Sequence, residues 1–167
     1  MSTIILMRHA NAELASPGMR DFDRPLSKQG ISEARSTANL LHTHYLSALN
    51  LQINAVFCSP ACRTIETLDS LRKIITIDEQ LIAYPHDLYA GGEAAYANLV
   101  DSMASNRVCL IIGHNPMIEN FAFAMAKAGH QDGLHQLKSG FPTAAIAIIN
   151  FENTGSGGNL QHFFTAD

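Results

Sequence analysis

The chain has 167 residues, 47% hydrophobic and 16% charged, and a net charge of −4 from 11 basic and 15 acidic residues. That size supports one domain with a full core, expected over residues 1–167, and leaves little for a second. An acidic balance without basic clusters excludes a general binder of nucleic acid or of anionic membranes.

Four short apolar runs are expected as buried strands: Thr3 to Met7, Ala55 to Ser59, Val108 to Gly113 and Ala144 to Phe151. Helical patterns lie between them. The first covers Ser27 to about Leu46, with Ser27 as N-cap and Ile31, Ala34, Ala38, Leu41 and Tyr45 on one stripe. The second opens at Ser59-Pro60, a cap and then a proline whose missing N–H costs nothing there. The third spans Glu93 to Ser105, and the fourth runs from Pro116 to Ala128. Asn159 to Phe164, after the glycine-rich turn "NTGSGG", reads as an edge strand. Strands alternating with helices predict an α/β fold, a three-layer sandwich with a mostly parallel central sheet and helices on both faces.

The compartment and the metal chemistry are also constrained. Cys58, Cys62 and Cys109 have no framework spacing, which argues against a stapled secreted fold. Cys58 and Cys62 lack a second Cys/His pair, so no metal site is expected. "MSTIILMRHANAE" has no basic n-region, and no run approaches a membrane span. A cytoplasmic protein with no membrane partner and no cofactor is expected.

Three strand ends carry the chemistry. The first ends in Arg8-His9, the second leads through "SPACR" to Arg63 in a helical first turn, and the third ends in Gly113-His114-Asn115-Pro116. In an open parallel sheet, ligands bind beyond the carboxyl ends of the strands. The three segments can therefore deliver two arginines and two histidines to one place, beside two helix N-termini suited to an anion. Such a pocket fits phosphate. A neutral imidazole there is a nucleophile toward phosphorus, and guanidinium forks stabilise the transferred oxygens. Each segment alone also has a plainer reading: Arg-His as a surface feature, Gly-His-Asn-Pro as a tight turn and cap. The conjunction at three strand ends favours the site.

These residues resemble the histidine phosphatase, or phosphoglycerate-mutase-like, superfamily. "LMRHANA" is similar to its Arg-His-Gly signature, "SPACRTIETL" to its Ser-Pro-x-x-Arg element, and "IIGHNP" to its second-histidine motif. "DFDRPLSKQG", "DLYAG", "GHNPMIE" and "FPTAAIAII" resemble more narrowly the SixA-type phosphohistidine phosphatases, and the likeness runs from Ile4 to about Phe164. It implies His9 as the phosphate-accepting nucleophile, with Arg8, Arg63 and His114 around the phosphate and Asn115 as a further phosphate-binding residue. It also implies a metal-independent phosphatase acting on a phosphohistidine-bearing protein. The alternatives are a phosphatase for small phosphorylated substrates and a non-catalytic phosphate or phosphoprotein binder on the same fold. A mutase is disfavoured, because no insertion is long enough to form a lid.

The family glycine after the first histidine is Ala10 here, and no carboxylic general acid matches the pattern of ester-cleaving branches. Glu79, Asp87, Glu93, Asp21 and Asp23 are candidates, each read more simply as a solvated loop residue, with Asp23-Arg24 as a loop-ordering pair. His42, His44, His130, His135 and His162 carry no chemical signal. Cys62, near a helix N-terminus and beside Arg63, is expected to have a lowered thiol pKa.

Overall fold

A computed structural model describes residues 1–105, 107–152 and 156–166. One mixed sheet contains β1 (Ser2–Arg8), β2 (Ala55–Cys58), β3 (Ile82–Ala83), β4 (Val108–Gly113), β5 (Ala126–Gly129), β6 (Ile146–Phe151) and β7 (Gly158–Phe164). Their spatial order is β3-β2-β4-β1-β6-β7-β5. Pairings β1–β4, β2–β4, β2–β3 and β5–β7 are parallel, while β6 runs antiparallel to both β1 and β7.

Alternation along the strands builds two cores. Ile5 and Met7 of β1, with Leu110 and Ile112 of β4, face one side. They pack there against Ala34, Ala38 and Leu41 of α1 (Lys28–Leu41) and Leu68 and Leu71 of α2 (Cys62–Arg72). Ile4, Leu6, Cys109 and Ile111 face the other side. Their partners come from α4 (Glu93–Asp101), α5 (Met117–Met125) and α6 (Gln131–Ser139), and short α3 (Asp87–Ala90) adds Leu88. Because both faces are covered, the central strands read as unbroken apolar runs. Each side chain so buried contributes about 1.5–3 kcal/mol. The three-layer α/β sandwich expected from the sequence is present. Among the described residues no helix is long and apolar enough to cross a membrane.

Several local expectations are corrected. Ser27 does cap α1, accepting from Gly30 N at 3.0 Å, but Ile31 is 37% exposed, off the buried stripe. Helix α2 begins at Cys62, with Ala61 as an N-cap that makes no side-chain bond. The Ser59 hydroxyl is spent elsewhere, as described below. The helix expected to end at Ser105 stops at Asp101, and the one expected through Ala128 stops at Met125. Its last residues peel off as β5, which lies outside β7, so β7 is an interior strand and not an edge. A Cβ on Gly129 would meet the Leu160 backbone, so a glycine there is what permits that close pairing. Part of the turn "NTGSGG", at Asn153, Thr154 and Gly155, lies outside the described residues. Strand β6 starts at Ile146, because Ala144 adopts φ 57° and turns the chain into the strand.

The register places Arg8 opposite Gly113 and Cys58 opposite Ile112. Strands β1, β4 and β2 therefore end level, and the residues that follow share one edge of the sheet. Gly113 is fixed by packing: a Cβ there would collide with the Tyr96 ring and hydroxyl, whose oxygen accepts from His114 N at 3.2 Å. We expect Gly113→Ala to destabilise the fold by roughly 1–3 kcal/mol, the usual cost of overpacking. Thermal melts should show Gly113→Ala/Tyr96→Phe recovering part of that loss, because the hydroxyl is among the atoms displaced.

Candidate active site

His9 leaves β1 with its backbone held on both sides. His9 N donates to Gly113 O at 3.0 Å, and Ala144 N donates to His9 O at 3.1 Å. The next amide, Ala10 N, donates to Thr67 Oγ1 at 3.1 Å, and that hydroxyl donates to Arg63 O at 2.6 Å. The strand end and the first turn of α2 are thus tied together by one threonine.

The side chains converge as expected. Arg63, 6% exposed, donates from Nε to His9 Nε2 at 3.2 Å, and its Nη2 lies 3.3 Å from His114 Nδ1. The two imidazoles are 5.1 Å apart between centroids, tilted by 57°. His9 Nδ1 lies 2.8 Å from Ala10 O, which assigns the proton to Nδ1 and leaves the lone pair on Nε2. His114 Nε2 lies 2.7 Å from Ser59 Oγ, and Arg63 occupies its other nitrogen, so its Nδ1 lone pair faces the site.

Arg8 donates from Nη1 to Phe141 O at 2.9 Å. Asn115 Nδ2 donates to the same carbonyl at 3.0 Å and to Glu119 Oε2 at 2.7 Å. Its amide protons are therefore committed to the protein, and Asn115 sits beside Arg8 as a shared anchor on Phe141. Arg8 Nε and Asn115 Oδ1 are buried without a partner. A buried donor left unmade costs about 1–3 kcal/mol, which an incoming oxyanion at Arg8 Nε can recover.

Burial pushes the His9 pKa down from 6.5 to about 4, with Arg63 and Arg8 adding to the fall and the Ala10 carbonyl opposing it. Burial also takes His114 down to about 3, reinforced by His9 and Arg63 and opposed by Asp21. Both rings are neutral near pH 7. Burial lowers the Arg8 pKa too, against the pull of Glu119 and Glu33.

Of the five acid candidates, Asp21 is the one bonded to a site residue, with Oδ2 3.0 Å from Arg63 Nη2. Hydrogen bonding from Arg24, then the charge of Arg63, holds its carboxyl below the ordinary range against some desolvation. It is a carboxylate, not a poised acid. Asp23 pairs with Arg20, at 2.6 Å, instead of with Arg24, and Arg24 turns to Asp21 at 2.9 Å. Glu79, its side chain 85% exposed, faces Arg72 at 3.9 Å. Glu93 accepts from Asn120, and Asp87 opens α3 exposed to solvent.

Cys62 departs from expectation: desolvation and the Glu66 carboxylate raise its thiol pKa, outweighing Arg63. Two further contacts had no sequence signal. Ser59 bonds His114, and Tyr89 sets its ring perpendicular to His114 at 5.6 Å between centroids. Tyr89 lies within "DLYAG", but no spacing rule brings that segment to the site.

Two guanidiniums and two neutral imidazoles come together at the carboxyl edge of an α/β sheet, an arrangement whose charge and donors suit an anion. The family model of the histidine phosphatase superfamily (branch 1) matches residues 4–84. The candidate phosphohistidine phosphatase SixA from Agrobacterium tumefaciens is 30% identical, covers 99% of this chain and 98% of its own, and superposes with TM-score 0.82. A second SixA protein, a protein histidine phosphatase solved with tungstate, is 20% identical with TM-score 0.75 over 98% and 96% of the two chains, a likeness of fold. An uncharacterised Mycobacterium tuberculosis protein is 27% identical over 146 residues, 86% of this chain and 85% of its own. The chain belongs to the histidine phosphatase superfamily.

The depressed histidines give a signed expectation. Between pH 6.5 and about 4 the unfolded chain binds a proton at His9 and the folded chain does not, so stability falls as pH drops through that window. Between about pH 7 and pH 5 the wild type should lose on the order of 2 kcal/mol more than His9→Ala. Denaturant melts at the two pH values check this; equal losses refute the buried neutral ring.

Proposed function

We propose that this chain is a metal-independent phosphatase that works through a covalent phosphohistidine on His9, and that its physiological substrate is phosphohistidine on a protein. One catalytic domain carries the reaction. The observation that supports this most is the neutral His9 ring, whose Nε2 lone pair lies 3.2 Å from Arg63 Nε. The SixA proteins it resembles are named as phosphohistidine phosphatases, in keeping with that reading.

In the first step Nε2 of His9 attacks phosphorus and the bond from phosphorus to the substrate nitrogen breaks. Its electron pair stays on the substrate imidazole, which takes a proton from water. Arg8 and Arg63 hold the three transferred oxygens, where charge is spread in the transition state. In the second step water attacks phosphorus, the bond to His9 Nε2 breaks, and inorganic phosphate leaves. When the dianion arrives, His114 Nδ1 takes a proton from solvent, gives up its contact with Arg63 Nη2 and donates to a phosphoryl oxygen, while Ser59 Oγ fixes its other nitrogen.

An imidazole leaves without a dedicated acid, whereas an alkoxide needs a proton from a positioned one. Asp21, the acid candidate bonded to Arg63, is held ionised, which favours a phosphoramidate substrate over an alkyl ester. Asn115 anchors the Phe141 carbonyl beside Arg8 and spends no side-chain donor on phosphate.

His9→Ala should lower kcat on an aryl phosphate by several orders of magnitude with the fold intact, and rapid quenching should trap an acid-labile, base-stable phosphoenzyme in the wild type. Retention of about a tenth of the rate, a loss of only ~1.4 kcal/mol, would exclude the covalent step. kcat/KM should be far higher on a phosphohistidine-bearing domain than on sugar phosphates or phosphoglycerates. Alkyl phosphates as the better substrates would reassign the chain to small phosphoesters. Phosphate binding without turnover on any substrate would make it a binding module.

A further inference from the structure

An exposed turn, Asp21–Asp23, reaches the buried site through one residue. Arg63 Nη1 donates to the Asp21 carbonyl oxygen at 2.7 Å, and Nη2 donates to Asp21 Oδ2 at 3.0 Å. The same carboxylate accepts from Arg24 Nη1 at 2.9 Å and from the Tyr89 hydroxyl at 3.2 Å. Tyr89 packs edgewise on Phe22 at 4.9 Å and on His114 at 5.6 Å, which closes a ring of contacts from the turn to the second histidine.

A guanidinium is a rigid plane, so fixing one edge orients the other. Asp21 takes the outer edge of Arg63, Nη1 and Nη2. The inner edge, Nε and Nη2, lies against His9 Nε2 and His114 Nδ1. We propose that Asp21 is a positioning residue for Arg63: it holds the outer edge of the guanidinium so that the inner edge is presented between the two histidines, where the phosphoryl oxygens bind. This rests on the phosphatase reading above and assigns Asp21 no contact with substrate and no proton to give.

The charge of Asp21 gives the assignment a signature. A carboxylate beside an anion pocket works against anion binding, so its removal should not weaken the hold on phosphate. Its benefit is orientation, and a misplacement of about 1 Å costs on the order of a hundredfold in rate. The loss should therefore fall on kcat and spare KM. A residue that only stabilised the fold would not split the two parameters in this way.

The experiment measures kcat and KM on p-nitrophenyl phosphate, and the Kd of inorganic phosphate by calorimetry, for the wild type, Asp21→Ala, Asp21→Asn and Arg20→Ala. Asp21→Ala should lower kcat about tenfold or more, with KM and the phosphate Kd rising no more than about twofold. Asp21→Asn keeps an oxygen acceptor for Nη2 and should recover kcat to within about fivefold of wild type. Arg20→Ala removes the ion pair to Asp23 in the same turn without touching Arg63 and should stay within about twofold. Thermal melts establish that each variant is folded; if Asp21→Ala is not, Asp21→Ser takes its place with the same expected loss.

Four results overturn the inference. They are an unchanged kcat in Asp21→Ala, a loss in Asp21→Asn as deep as in Asp21→Ala (a proton donor), a loss confined to KM and Kd (a ligand contact), and an equal loss in Arg20→Ala (ordering of the turn alone). Any of these in an active wild type leaves the phosphatase reading standing. A wild type that neither turns over nor binds phosphate removes that reading, and this inference with it.

Discussion

A guanidinium held almost free of solvent between two neutral imidazoles is the constraint on which the rest of the site depends. A buried charge is costly unless its donors are used, and the cost of leaving one unpaired is several kcal/mol. Arg63 meets that demand with His9 Nε2, His114 Nδ1 and two oxygens of Asp21. Each partner is in turn fixed by the fold. His9 is tied by backbone bonds to Gly113 and Ala144, and Ser59 fixes His114. The electrostatic result follows from the same packing: a cation and burial together keep both rings uncharged, the state that the proposed nucleophile requires.

That arrangement requires three strands to end level and one chain segment to adopt a costly conformation. Ala144 is fully buried with φ 57°, in a region that costs an ordinary residue about 1–2 kcal/mol. The turn puts Ala144 N on the His9 carbonyl and, just before it, Phe141 O beneath Arg8. Strain in the backbone is thereby exchanged for a fixed His9 and a fixed cation at Arg8. Glycine at 113 plays the opposite part, with no side chain so that Tyr96 can reach the His114 amide.

What the sequence disclosed, and what it hid, divides along the range of the interaction. The central strands were legible because burial on both faces writes unbroken apolar runs, and the four converging side chains because three stand at the end of such a run and Arg63 in the first helical turn after one. β5 was hidden inside "AMAKAG", whose alanines read as more helix; only the neighbouring β7 backbone decides otherwise. α6 was hidden because glycine and polar residues thin its apolar stripe to Leu134 and Leu137. Ser59 and Cys62 depart from local rules for a related reason. Both sit before or within a helix start, where local rules predict a cap and a lowered thiol pKa, yet His114 takes the hydroxyl and Glu66 with burial reverses the thiol. Asp21 meets Arg63 across 42 positions of separation, and Tyr89 meets Asp21 across 68, by contacts that no periodicity encodes.

Charge matching connects this geometry to the proposed chemistry. With both imidazoles neutral, Arg8 and Arg63 supply the positive charge that faces the site, with the carboxylates of Glu119 and Glu33 acting on Arg8 and Asp21 on Arg63. A phosphoryl dianion adds negative charge there, and the group placed to answer it is His114, whose Nδ1 faces the site beside Arg63 while Nε2 stays on Ser59. The field of the arriving anion acts in the direction opposite to burial, raising the affinity of that nitrogen for a proton. His9 cannot take the same proton and remain a nucleophile, and the bond from its Nδ1 to the Ala10 carbonyl keeps the lone pair on Nε2. The two histidines, alike in burial and each beside Arg63, differ in their second hydrogen bonds: the Ala10 carbonyl on His9 Nδ1 and the Ser59 hydroxyl on His114 Nε2.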